Sequence, residues 1–288
     1  MFSAKGNDEK KTLVIGGAGK TGSRVIKRLN KKNIPVRTGS RSSNPKFDWL
    51  DETTWMPALH NIKSVYITVY PDLAVPGSAD KIQTLVNYSK ESGISKLVLL
   101  SGRGEEEAQK CEQIIIDSGI DWTILRASWF NQNFSENYLL EPILAGYVAL
   151  PAGKVGEPFI DADDIADAAA AALTEEGHSN KLYEITGPRL LTFEEAISEI
   201  SKATGRQIIF KHLTIEEYAQ MLKEYNVPDD FIELITYLFR EVLDGRNESV
   251  TNGIQQALGH KPKDFSDFAK ETADSGVWSV AENTIASS

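Results

Sequence analysis

The chain of 288 residues carries 31 lysines and arginines against 41 aspartates and glutamates, a net charge of −10. That balance argues against a nucleic-acid footprint and against attraction to an anionic membrane, and the longest nearly unbroken apolar run, 165–173, contains Asp167 and falls far short of a membrane span. One cysteine, Cys111, excludes an internal disulfide and a thiolate zinc site, and the four histidines are scattered without ligand spacing, so no metal is expected.

The opening MFSAKGNDEKK is polar and unlike a secretory signal, which makes a reducing cytoplasm the expected location. The short β-branched run Thr12 to Ile15 then reads as a buried parallel strand, and it leads into GGAGKTG at 16–22. Two phosphate-binding readings compete for that turn. A P-loop needs a glycine five positions before Gly19, where Val14 stands instead. The favoured reading takes Gly16, Gly19 and Gly22 as a dinucleotide fingerprint: one glycine for a tight turn, one for close approach to pyrophosphate, one for helix packing. Helical spacing in Val25, Ile26 and Leu29 supplies the helix whose amino end would face the anion.

A second strand is expected near Val36. A site selective for NAD places a carboxylate about twenty residues beyond the glycines, yet 34–46 holds no acidic residue and offers Arg37, Arg41 and Lys46 among serines. An arginine fork suits a ribose 2′-phosphate, so NADP(H) is preferred over NAD(H), with Arg41 the best single candidate. The alternative is a solvated basic loop. Further strands are expected at Phe47–Trp49 (short), 64–69, 96–100, 122–125 and 181–185, with helices over 81–88, 105–117 and 163–173 between them. On the second of these helices Cys111 reads as a small core residue. Asp163 or Asp164 reads as the cap of the third, a carboxylate pair for catalysis being the sharper alternative. After Gly187-Pro188 helices dominate, with capping boxes at Thr192/Glu195 and Thr214/Glu217. The fold class is therefore α/β: a Rossmann doubly wound parallel sheet with a small, mostly helical carboxyl-terminal substrate region. Residues 11–128 and 156–187 are assigned to the NAD(P)-binding domain, 129–155 and 188–273 to the substrate region, and 1–10 and 274–288 to disordered tails.

Ligands of open α/β sheets lie beyond the carboxyl ends of the strands. Those ends offer Tyr70-Pro71, Ser101-Gly102-Arg103-Gly104 and the aromatic, amide-rich stretch 126–134, which suits a flat ring with heteroatoms or, alternatively, an interdomain hinge with aromatics in the core.

The glycine turn, FDWLD at 47–51, SGIDWTILRASWFNQNF at 118–134, FIDADDIAD at 159–167 and LYEITGP at 182–188 together resemble the NmrA-like branch of the atypical short-chain dehydrogenases. Within it the chain is similar to bacterial NAD(P)H-dependent quinone or azo reductases and to the fungal ergot-alkaloid reductases. The resemblance implies a cofactor site at Gly16, Gly19, Lys20, Thr21 and Gly22, Asp48 and Trp49 near the adenine, Thr68 and Tyr70 near the cofactor's middle, and Ser101 near the nicotinamide. One departure stands out: none of the nine tyrosines has a lysine four residues later, so the Tyr-x-x-x-Lys proton relay of typical short-chain dehydrogenases is missing. Two classes survive. The first is a reductase passing hydride to a quinone, azo, enone or iminium acceptor, with Ser101, Tyr70 and Lys110 as candidate proton donors. Its substrate would be a small aromatic or conjugated molecule held by Trp129, Phe130, Asn131 and Phe134. The second is a non-catalytic NADP(H) sensor acting through a protein partner.

Overall fold

The computed structural model of the protein describes residues 10–280. In chain order its elements are β1 (Lys11–Ile15), α1 (Lys20–Lys31), β2 (Val36–Gly39), α2 (Trp55–Leu59), β3 (Ile62–Ile67), α3 (Ser78–Glu91), β4 (Lys96–Gly102), α4 (Glu106–Ile116) and β5 (Asp121–Ala127). They continue with α5 (Leu140–Ala145), β6 (Tyr147–Leu150), α6 (Ala162–Thr174), β7 (Lys181–Ile185), α7 (Phe193–Thr204), β8 (Ile209–His212), α8 (Ile215–Glu224), α9 (Asp229–Tyr237), α10 (Gly253–Leu258) and α11 (Phe265–Asp274). Two compact units result. The first comprises 10–127, 162–185 and 252–260, and the second 128–161, 186–251 and 261–280.

The first unit is a six-stranded parallel sheet in the order β2-β1-β3-β4-β5-β7, flanked by helices. Its central strands are apolar at successive positions because both faces are covered: Leu13, Val14 and Ile15 of β1, Val65 to Ile67 of β3 and Leu97 to Leu99 of β4 are wholly buried. The chain leaves β1 for β2 on one side and returns to β3 on the other. Strand order thus reverses at the end of β1, the place where doubly wound sheets bind ligands.

Two expectations for this unit change. The short strand at 47–49 does not form, and Asp48 makes only an isolated bridge with Asp51. Ring packing replaces strand pairing: Phe47 stacks on Trp55 at 5.6 Å, Trp49 meets both edge-on, and the indole N–H groups of Trp49 and Trp55 donate to the carbonyls of Thr68 and Asp48. In addition, residues 252–260, assigned above to the substrate region, belong to the sheet unit, where α10 packs on α6 and β7, whereas 128, 156–161 and 186–187, assigned above to the NAD(P)-binding domain, fall in the second unit.

The second unit is mostly helical around an aromatic core. Phe193 lies against Trp129, Phe134, Phe159 and Phe239 at centroid distances of 5.0–5.8 Å. Both expected capping boxes form, each threonine accepting from the glutamate amide three residues on. A two-stranded parallel sheet, β6 with β8, was not expected; β8 is largely exposed and gives little apolar signal. Within the stretch assigned to a tail from 274, Trp278 is buried, and its indole donates to the Phe134 carbonyl at 2.9 Å. Residues 1–9 and 281–288 lie outside the described residues.

Among the described residues no helix is long and apolar enough to cross a membrane, and no group of three or more His, Cys, Asp and Glu side chains is arranged to hold a metal.

Candidate cofactor site

The geometry of the glycine turn suits a dinucleotide better than a P-loop nucleotide. Val14 is a fully buried strand residue, paired in register with Thr38 and Tyr66, so no phosphate approaches the backbone there. Gly16 adopts φ +71°, and a Cβ on it would stand 2.1 Å from the Thr68 hydroxyl. A Cβ on Gly22 would stand 2.3 Å from the Gly16 carbonyl oxygen, so the first and third glycines let the helix press against the turn. Gly19 precedes α1 in extended conformation, exposed and without a side-chain cap, leaving first-turn amides for an anion. No acidic residue occupies that turn. Lys20 is half-buried, and Thr21 is buried beside the Tyr66 hydroxyl, unlike a magnesium-facing P-loop hydroxyl. The cradle fits a pyrophosphate.

Thr68 ties the site together. Its hydroxyl donates to the Ile15 carbonyl at 3.1 Å, it stands over Gly16, and its own carbonyl receives the Trp49 indole N–H. Asp48 accepts from the Leu50 amide and, at 3.0 Å, from Lys46; the backbone bond first and Lys46 second hold its carboxyl below the usual range.

The three cations of β2 and the segment after it have separate employments. Arg37 donates to the carbonyls of Ala58 and His60, and Lys46 pairs with Asp48 and Asp51. Arg41 is exposed, makes no ion pair among the described residues, and lies over the Tyr70 ring at 5.4 Å. Two residues picked out for different tasks, Arg41 and Tyr70, are therefore neighbours.

The expected proton donors are not brought together. Ser101 is buried and donates to Glu112 at 2.6 Å, so its proton is already committed. Lys110 is 64% exposed and paired with Glu107, which holds its ammonium protonated beyond the usual range. Tyr70 stands under Arg41. Sequence reasoning missed the network that claims Ser101. Glu112 takes Arg126 bidentately; Arg126 also faces Glu184 at 3.8 Å, and Glu184 accepts two bonds from Arg103. Ser101, Arg126 and Glu184 sit side by side in register across β4, β5 and β7. The available signal was a polar residue near the end of each of three apolar strands. Burial pushes the Cys111 thiol up to about 12, as befits a core residue.

At the start of α6, Asp163 pairs with Arg28 and Arg24 of α1, Asp167 pairs with Arg28, and Asp164 is buried in the first turn. In the second unit Phe134 is fully buried among Phe159, Phe193 and Phe265, which makes it core rather than a substrate wall. Trp129 and Phe130 keep partial exposure, and Asn131 is wholly buried with both side-chain amide atoms unpartnered.

Comparison with known proteins identifies the family. Residues 16–176 match the NAD(P)H-binding family model and 106–269 the NmrA-like family model. The chain is 30% identical to prestalk A differentiation protein A of Dictyostelium discoideum, over 90% of this chain and 91% of that one. It is 31% identical to agroclavine dehydrogenase of Claviceps fusiformis, over 92% and 98%. An NADPH-dependent quinone oxidoreductase of Escherichia coli, solved with NADPH, shares the fold with a TM-score of 0.75 at 22% identity, over 90% of this chain and 99% of that one. With the glycine cradle, the reversed strand order and both family models in agreement, the chain belongs to the NmrA-like family of NAD(P)H-binding oxidoreductases.

Proposed function

We propose that the protein is an NADPH-preferring reductase that reduces an electron-poor small molecule of the quinone, azo, enone or iminium type. The observation that carries the NADPH preference is Arg41, the one cation of Arg37, Arg41 and Lys46 not committed to a carbonyl or carboxylate. Its guanidinium can take a ribose 2′-phosphate bidentately, with Tyr70 beneath it as a platform. Gly16, Gly19, Lys20, Thr21 and Gly22 hold the pyrophosphate, Asp48 and Trp49 border the adenine, and Thr68 lies beside the turn at the cofactor's middle. When bound, the dinucleotide supplies hydride; the protein supplies position and electrostatics. Support for the acceptor class comes from the names of relatives, a quinone oxidoreductase and an agroclavine dehydrogenase. Trp129 and Phe130 are the candidates for contact with a flat substrate.

The test is a titration with NADPH and NADH, followed by nicotinamide fluorescence, and then a panel of quinones, azo dyes and unsaturated imines. A charge-assisted hydrogen bond contributes about 1.5–3 kcal/mol, so Arg41→Ala should weaken NADPH binding roughly 10- to 100-fold and barely alter NADH binding. NADH binding as tightly as NADPH in the unmutated protein would overturn the preference. Tight binding without turnover across the panel would overturn the reductase reading.

A further inference from the structure

The loop between β4 and α4 carries a carboxyl group with no evident structural employment. Glu105 is the residue at which α4 begins, where a carboxylate ordinarily turns onto the first helical amides and gains from the helix dipole. Its side chain makes no such cap. Instead it folds back over the end of β4: a Cβ on Gly102 would stand 2.3 Å from Glu105 Oε1 and 2.5 Å from Oε2, so only a glycine leaves room for the carboxyl. Glu105 is 8% exposed, and its Oε2 is buried with no hydrogen-bond partner.

Among the described residues, the charges that act on it are those of two carboxyl groups. From the segment after β3 comes Asp72, whose carboxylate accepts from the Ala74 amide at 2.9 Å. From α4 comes Glu112, already taken by Arg126 of β5 and by Ser101. Arg103, two residues before Glu105, is held by Glu184 of β7. Farther along α4, Glu107 accepts from the amides of Gly77 and Ala79 and pairs with the exposed Lys110. Burial first, then the charges of Asp72 and Glu112, hold the Glu105 carboxyl well above the usual carboxylate range. A neutral acid in this position is a hydrogen-bond donor without an acceptor, at the strand end where sheets of this type receive their ligands.

We propose that Glu105 is the proton donor to the reduced substrate. The assignment rests on the reductase reading above and fills the place left by the missing Tyr-x-x-x-Lys pair. An enone or quinone that has accepted hydride is an anion on oxygen or carbon. The Glu105 O–H bond breaks as the new O–H or C–H bond forms on that anion, and the carboxylate left behind regains a proton from water. Over one turnover the acceptor gains a hydride and a proton, NADPH is oxidised to NADP+, and Glu105 is unchanged. Asp72 and Glu112 act through Glu105 as positioning residues, since their charges raise its carboxyl; burial raises the Asp72 carboxyl as well.

The test has two arms. Infrared difference spectra of the ligand-free protein, wild type minus E105Q, should show a protonated-carboxyl stretch at pH 7 that titrates away only above the ordinary carboxylate range. A Glu105 already ionised at pH 5–6 would overturn the assignment whatever the activity. In the second arm, E105Q should bind NADPH as the wild type does and lower kcat with p-benzoquinone at least 100-fold, E105D recovering part of the loss. The loss with a triarylmethane cation, which takes hydride alone, should be at least tenfold smaller. The quinone rate of the wild type should fall as pH rises through the Glu105 titration. Equal losses on both acceptors would make Glu105 structural. If no acceptor is reduced by the wild type while NADPH binds, the reductase reading itself fails and this proposal with it; the infrared result then still reports the carboxyl's protonation.

Discussion

The two units reach stability by different routes. In the first, branched aliphatic side chains on parallel strands are buried on both faces, and one connected polar set, Ser101, Glu112, Arg126, Glu184 and Arg103, joins α4 to the carboxyl ends of β4, β5 and β7. In the second, rings from segments far apart in the chain meet in one cluster: Trp129, Phe134, Phe159, Phe193, Phe239 and Phe265. An aliphatic sheet spreads its burial over many small equivalent contributions, whereas an aromatic cluster concentrates it in a few large side chains. Loss of one residue should therefore weigh differently in the two.

The contrast is sharpest for Phe193, which touches four other rings. Phe193→Ala should cost about 3–5 kcal/mol in urea unfolding, while Ile124→Val in the sheet should cost about 0.5–1.5 kcal/mol. Equal costs would break the comparison. Next comes the polar edge of the first unit. Removing one member of a buried ion pair costs about 3–5 kcal/mol. Arg126 is 23% exposed, so Glu112→Ala should fall at or below the lower end of that range in the same assay. No measurable loss would mean that water replaces the carboxylate. Trp129 separates packing from function: Trp129→Ala should lower kcat/KM for an aromatic acceptor about tenfold, about 1.4 kcal/mol, without a matching change in NADPH affinity. Stability loss with normal turnover per folded molecule would assign Trp129 wholly to the core.

The smallest effect concerns pH. Arg189 donates to both oxygens of Asp264, and that bond, against partial burial, holds the Asp264 carboxyl well below the usual range. A depressed carboxyl contributes stability that is present above its unfolded value, near pH 4, and lost as pH falls through the folded value. With Arg189 38% exposed, the contribution should be about 1 kcal/mol or less. Arg189→Ala should lower Tm at pH 7 by a few degrees at most and lower it less at pH 2, where the contribution is partly lost; an equal drop at both would rule out the charge as the cause.

Much of the first unit was legible because its signals are local. Continuous apolar runs gave β1, β3, β4, β5 and β7, and glycine spacing gave the cradle. The segment at 47–49 misled because aromatic residues suit strands and ring clusters equally, and only the tertiary partner Trp55 decides between them. The proton-donor candidates misled for a related reason. Ser101 and Lys110 have the right chemistry, but which group a hydroxyl or an ammonium faces depends on Glu112 and Glu107, one or three residues from positions already noted. Glu105 left no signal, since a glutamate at a helix start reads as an ordinary dipole partner. In the second unit the capping boxes were readable and the small sheet was not, because β6 and β8 are four residues each and lie sixty residues apart.

The return of 252–260 to the sheet unit has a consequence for how the protein is made. Parallel strands must await distant partners, and domains of a growing chain close in the order in which their parts emerge. The cofactor-binding unit lacks α10 until residue 260 has left the ribosome, although its first 127 residues, glycine cradle included, were finished long before. During that interval the apolar faces of β7 and α6 that α10 covers stand open. A messenger cut short before codon 252 should therefore yield a product that holds every residue proposed above to bind the cofactor and is still prone to aggregation and clearance. In this chain the last word on the amino-terminal fold is spoken near the carboxyl terminus.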